Sequence, residues 1–272
     1  IVSIPSNPLT LSTGLAAAIA NGTAVLDYAA AAGSFASTTV PIPQWSSTKI
    51  CGVGDSITRA TAQPGIPGQL GYGINSSWLW MFAQMSGWES FNLAHEADAV
   101  ASSNTRIYTR IVTGNDATRF APNCNYYVIN AGTNDANSVD SASNPNFLPN
   151  YTAIINACKA AAPAGTTIIC SALYSPRVNA AWLPGYNALI AAAAAATNGT
   201  DSTGTSGHPE FVVKYADLTA GMDLTPGGLD ITSGGIHPTY AGQLKWAGNL
   251  IRLIDPSRAD AGGTIGRGRT LK

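Results

Sequence analysis

Charge is what this chain has least of. Of its 272 residues, Asp, Glu, Lys and Arg make up 11%, with a net charge of −1. That is less than half the usual share of roughly 25%. A surface so poor in basic residues cannot release counterions from a polyanion, which argues against nucleic acid as a partner. The last basic residues, Arg258, Arg267, Arg269 and Lys272, read as a solvated tail. Long apolar runs are also missing. Ala191–Ala196 is all Ala but far short of a membrane span. Cysteine is scarce: Cys51, Cys124, Cys158 and Cys170 are the four. An even number suits disulfides in an oxidising compartment, whereas Cys51 and Cys170 within strand-like runs suit small buried hydrophobes. The chain opens on Ile1, as would one whose leader was removed or not included.

What is there is apolar and uncharged-polar. Hydrophobic residues reach 45%, enough for a sizeable core. Ser, Thr, Asn and Gly must cover the surface, a composition expected of a secreted or particle-borne protein. Four Asn-x-Ser/Thr sequons (Asn21, Asn75, Asn150, Asn198) are acceptors for glycan only in a eukaryotic secretory host.

Residues 1–48 are rich in Ala, Ser, Thr and Pro and carry no catalytic signature. They read as an N-terminal extension, with short helices expected over Leu15–Ala20 and Ala24–Ala32. Lys49–Gly54 reads as a buried strand that breaks into a polar loop holding Ser56. Further strands are expected over Trp88–Leu93, Asn125–Ala131, Thr166–Leu173 and Phe211–Leu218, where β-branched and aromatic residues run between Gly, Pro and Asn. Helices are expected over Trp78–Ser86, Tyr151–Ala162, Pro184–Ala196 and Tyr240–Ile254, from apolar stripes and terminal signals. Strand and helix alternate across residues 49–255, which predicts an α/β domain with a mainly parallel, five-stranded sheet. Residues 256–272 form a tail. Sites in such folds lie at the carboxyl ends of strands. Ser56, Ala94, Asn134 and the loop before His237 all fall there.

Those residue types suit acyl transfer. A serine hydroxyl needs a base, and histidine has the fitting proton affinity. His237 lies in a Gly-rich loop, between Gly235 and Pro238, at a helix start. Asn134 offers an amide donor for developing negative charge, or is an ordinary turn residue. His95 and His208 read as loop histidines. Neither a zinc pattern, a P-loop nor a Gly-x-Ser-x-Gly elbow is present. Gly52–Val53–Gly54 imitates a dinucleotide fingerprint, but its third position is Ile57. No metal or cofactor is needed for the chemistry. Tyr72, Trp78, Trp80 and Trp88 are candidates to stack on a sugar or to fill the core; Trp78 reads as core.

Three blocks carry a family resemblance. Gly54–Asp55–Ser56, Gly132–Thr133–Asn134–Asp135 and Gly235–Ile236–His237–Pro238–Thr239 resemble, in order and spacing, the blocks of the SGNH (GDSL-like) hydrolases. The resemblance spans nearly all of residues 49–255. It implies a flavodoxin-like three-layer α/β/α sandwich and ester hydrolysis through an acyl-enzyme. It implies Ser56 as nucleophile and His237 as base, with an oxyanion hole from the Ser56 N–H, Asn134 and Ala94. Two positions depart from the pattern. Ala94 stands where the family has Gly, and Gly234 where it has the acid that orients the histidine. Asp230 is the nearest acid in sequence, and a Ser–His dyad is the other arrangement. The expectation is a serine esterase acting on small acyl esters, acetyl foremost, of a small molecule or carbohydrate. The alternative is a catalytically weak or inactive carbohydrate-binding or adhesion module.

Overall fold

The computed structural model describes residues 25–29, 34–38, 46–60, 77–101, 105–137, 144–174 and 182–256. The chain divides into two compact units, Ile1–Trp45 and Ser46–Lys272. In the first, β1 (Val25–Ala29) pairs antiparallel with β2 (Ser34–Thr38), with Tyr28 opposite Phe35. This overturns the helix expected over Ala24–Ala32. Ala is a strong helix former, but intrinsic propensity is a weak prior, and β-favouring Val25 and Tyr28 with a partner strand override it. The helix expected over Leu15–Ala20 and the C-terminal tail from residue 257 lie outside the described residues.

The second unit holds β3 (Ser46–Gly54), β4 (Trp88–Asn92), β5 (Tyr126–Asn130), β6 (Thr167–Ser171) and β7 (Val212–Ala216). They form one parallel sheet in the order β4-β3-β5-β6-β7. A parallel sheet is covered on both faces, so its strands read as unbroken apolar runs. Alternate residues feed two cores. Ile50, Val128 and Ile169 join Trp78, Phe82, Trp246 and Leu250 on one face. Cys51, Val53, Tyr127, Ile129 and Ile168 join Phe147, Tyr151, Tyr186 and Ile190 on the other. The first group comes from α2 (Trp78–Ser86) and α8 (Tyr240–Ile254), the second from α6 (Phe147–Ala161) and α7 (Leu183–Thr197), with α1 (Ser56–Arg59) at the end of β3. The result is the expected three-layer sandwich. Shorter helices are α3 (Arg106–Tyr108), which runs into a π turn at Thr109–Thr113, α4 (Asp116–Phe120) and α5 (Thr133–Asn137).

The chain passes from β3 to β4 on one side and returns to β5 on the other. The crevice at this reversal lies beyond the carboxyl ends of β3 and β5, where such folds bind ligands. Two sequons are already engaged. The Asn150 amide donates to the Val100 carbonyl, and Asn198 Oδ1 accepts from the Val213 N–H. Asn21 and Asn75 lie outside the described residues. All four cysteines are buried and free, so the hydrophobe reading holds rather than the disulfide one.

Candidate active site

Ser56 opens α1 rather than lying in the polar loop expected of it. Asp55 caps that turn, its Oδ1 accepting from the Ile57 N–H at 3.0 Å. Gly54 is needed just before it: a Cβ there would lie 2.6 Å from Thr58 Oγ1 and closer still to the Asn130 carbonyl. His237 arrives from a loop closed on itself. Ile231 bridges Pro238, Thr232 N–H donates to the His237 carbonyl at 2.9 Å, and Thr239 N–H donates to the Asp230 carbonyl at 2.8 Å. Thr239 then caps α8. The two meet: His237 Nε2 lies 2.8 Å from Ser56 Oγ. Burial lowers the proton affinity of His237, and the Glu96 carboxylate partly restores it. The ring is therefore neutral at physiological pH, the form a base requires.

Gln243 joins the two halves. From α8 its Oε1 accepts from the Trp78 N–H at 2.8 Å, and its Nε2 donates to the Ile57 carbonyl at 3.1 Å. Sequence reading missed it, because a polar residue inside an apolar helical pattern reads as solvent-facing.

Asn134 sits in α5, just beyond β5. Gly54 pairs with Asn130 across β3 and β5, so the turns bearing Ser56 and Asn134 emerge side by side. Gly132 makes the bend at φ 120°, and a Cβ on it would press on Phe147 at 3.0 Å. Asn134 Nδ2 donates to the Asp98 carbonyl at 2.8 Å, which leaves one amide hydrogen. Asp135 is buried and accepts from the N–H groups of Val100 (2.9 Å) and Ala101 (2.7 Å). The loop after β4 is thereby tied to this block. It is tied to β3 as well, through Leu93 N–H to Gly52 (2.8 Å) and His95 N–H to Gly54 (3.2 Å).

Two positions differ from a simple three-block site. The Ala94 N–H donates to Asn92 Oδ1 at 3.0 Å, while Asn92 Nδ2 donates to the Thr58 carbonyl at 3.1 Å. That donor faces Asn92, not open space. Asp230, expected as the orienting acid, is fully buried but turned elsewhere. Its Oδ2 accepts from Lys245 Nζ and from the Asp223 N–H, both at 2.6 Å. His237 Nδ1 has no hydrogen-bond partner among the described residues. The structure thus brings Ser56 and His237 together and does not bring Asp230 to the ring.

Among the described residues the candidate aromatics serve the core. Trp78 is buried against Trp246 at 5.7 Å, Trp88 stacks on Tyr126 at 4.9 Å, and Trp80 packs on the same core. Tyr72 lies outside the described residues. His95 is exposed at the rim, and His208 pairs with Glu210 at 2.8 Å. Among the described residues no cluster of metal ligands occurs. Nor is any helix there long and apolar enough to cross a membrane.

With this geometry stand the likenesses to other proteins. The family model described as "GDSL-like Lipase/Acylhydrolase family" matches residues 53–245. No curated protein matches the sequence. Among solved structures, a carbohydrate acetylesterase from Sinorhizobium meliloti is 15% identical, covers 77% of this chain and 99% of its own, and superposes with a TM-score of 0.53. A family two carbohydrate esterase from Clostridium thermocellum, in complex with cellohexaose, is 18% identical over 83% of this chain and 68% of that one, at a TM-score of 0.57. The M. smegmatis aryl esterase is 15% identical over 77% and 99%, at 0.53. At these identities the likeness is one of fold.

Proposed function

The chain belongs to the GDSL-like lipase/acylhydrolase family of ester hydrolases, and from that premise we propose that it is a serine esterase removing small acyl groups, acetyl foremost, from a carbohydrate. The observation that carries the mechanism is the 2.8 Å contact between Ser56 Oγ and His237 Nε2. Ser56 Oγ attacks the ester carbonyl as Nε2 takes its proton. The tetrahedral oxyanion is met by the Ser56 N–H and the free amide hydrogen of Asn134, joined by the Ala94 N–H once it turns from Asn92. The bond to the alcohol breaks as Nε2 returns the proton to it. Water then attacks the acyl-Ser56 by the same route reversed. With Asp230 engaged by Lys245, His237 works as one half of a dyad, held by its loop and by burial. The acetyl and carbohydrate parts are supported by the carbohydrate esterases that share this fold. The charge-poor surface supports work outside the cell or on a particle.

Hydrolysis of p-nitrophenyl acetate tests this. Ser56→Ala and His237→Ala should each lower kcat by about 10³-fold or more, with acetyl found on Ser56 in acid-quenched wild type. Variants that keep the wild-type rate would sink the reading.

One observation favours a second reading, a sugar-binding module without turnover: the Ala94 N–H is already taken by Asn92. A fluorophosphonate separates the two, because only an activated Ser56 becomes labelled.

A further inference from the structure

In a chain this sparing with charge, one cavity gathers Arg59, Arg106, Arg110, Glu96 and Asp98. It measures about 600 Å³, and three of the chain's 14 basic residues line it. That volume falls in the range of small-molecule sites, roughly 300–1,000 Å³. Arg59 ends α1, three residues after Ser56 and on a neighbouring face of that turn. His95 and Glu96 follow β4, with the His95 N–H tied to Gly54. The Glu96 carboxylate is close enough to act on His237. Arg106 and Arg110 line it from α3 and the π turn. The cavity adjoins the site through Asp98, whose carbonyl accepts from Asn134 Nδ2 at 2.8 Å, and three guanidinium groups and two carboxylates, Glu96 and Asp98, line it.

Its lining selects by chemistry. No large apolar side chain lines it among the described residues, which disfavours a long acyl chain. Thr105 offers a hydroxyl donor and acceptor, Thr109 an acceptor, its own hydrogen going to the Thr105 carbonyl at 3.0 Å, and Glu96 a further acceptor, all suited to a polyol. Arg110 is already spoken for: Asp98 takes it at 2.6 Å and Asp116 at 3.3 Å. Arg59 and Arg106 are in no ion pair among the described residues. Two guanidinium groups in a cavity, with their planar donor forks open, match a carboxylate. We propose that this cavity is the alcohol-side subsite and takes a carboxylate-bearing sugar, so that the ester cleaved at Ser56 sits on an acidic carbohydrate. The proposal rests on the esterase reading. It adds the substrate class, with the sugar carboxylate at Arg59 and Arg106 and the hydroxyls toward Glu96 and the threonines.

Binding is tested apart from turnover. Ser56→Ala protein is titrated calorimetrically with methyl glucuronide, methyl glucoside and inorganic sulfate. The uronide should bind at least about tenfold more tightly than the glucoside, as the loss of a charge-assisted pair predicts. Adding Arg59→Gln and Arg106→Gln should erase that preference. Equal affinity for the two sugars, a preference that survives both substitutions, or sulfate binding as tightly as the uronide would each overturn the proposal. In a parallel arm, wild-type kcat/KM on acetylated forms of the two sugars should favour the acidic one, and the ratio should collapse in the double variant. A wild type that cleaves no ester, p-nitrophenyl acetate included, defeats the esterase reading. The titration still decides the subsite.

Discussion

Asp55 is a carboxylate in a place that punishes its charge. Burial raises its pKa to about 7, against a normal 3.8, and the nearby Asp135 adds to the effect. Its native form is therefore protonated below that pH, while the unfolded chain ionises near 3.8. Stability from this group is complete below the unfolded value and drains away as pH rises to about 7. Asp55→Asn keeps an oxygen for the Ile57 N–H and cannot ionise. The variant should melt near wild type at pH 4 and above it at pH 8, with the gap opening between; each kcal/mol is worth roughly 2–4 °C at this size. Melting curves across pH check it, and a gap independent of pH would contradict the assignment. His237 shifts the other way, lowered from 6.5 chiefly by burial. The acid limb of kcat/KM should thus lie below 6.5. Because Glu96 raises this pKa, Glu96→Gln should move the limb lower still, and added salt should shrink the difference. A limb that stays put in Glu96→Gln would remove Glu96 from the site's electrostatics.

Elements position those residues, and they were unevenly legible. The strands announced themselves, since Tyr126–Asn130 and Thr167–Ser171 are apolar on both faces as a parallel sheet requires. α2 and α8 match expectation end to end, because Ser77 and Thr239 cap them visibly. α6 begins at Phe147, four residues before the expected Tyr151, because Pro149 reads as a breaker. In the first turn its missing N–H has no helical partner to lose. The pairing of Ser56 with His237 was legible because each stands in a short sequence block at an element end. The site was opaque where contacts span the chain. Asp230 is close to His237 in sequence, yet its carboxylate turns to Lys245 on α8. Gln243 reaches residues 165 and 186 positions away. Gln243→Leu should cost about 1–3 kcal/mol by orphaning the Trp78 N–H, and should lower kcat on p-nitrophenyl acetate as α8 and α1 lose their tie. Gln243→Glu keeps the Trp78 bond but repels the Ile57 carbonyl. A kcat loss shared by both variants, with a smaller melting shift in the Glu one, assigns the positioning to the Ile57 bond. Unchanged kcat in both would make Gln243 purely structural.

At the scale of the molecule, the second unit is held by packing on both faces of one sheet, without covalent staples. Composition left the cysteines undecided, because an even count suits either disulfides or buried thiols; only the packing around them separates the two. Cys51, Cys124, Cys158 and Cys170 are all inaccessible, within one apolar core. Burial pushes the thiols of Cys51 and Cys158 well up and that of Cys170 to about 12. A thiol must ionise and be reached before it reacts. Cys51, Cys158 and Cys170 meet neither condition in the native state, and Cys124, whose proton affinity the hydrogen bond with Cys51 lowers, is shut off by burial alone. Native protein should therefore give almost no fast reaction with an aromatic disulfide reagent at pH 8, and four equivalents after denaturation. Because no cross-link constrains the unfolded chain, dithiothreitol should leave the melting temperature unchanged; removing a native disulfide would typically cost about 2–5 kcal/mol. A melting temperature that falls on reduction, with fewer than four thiols in the denatured oxidised protein, would show that a bridge forms where the fold places free thiols.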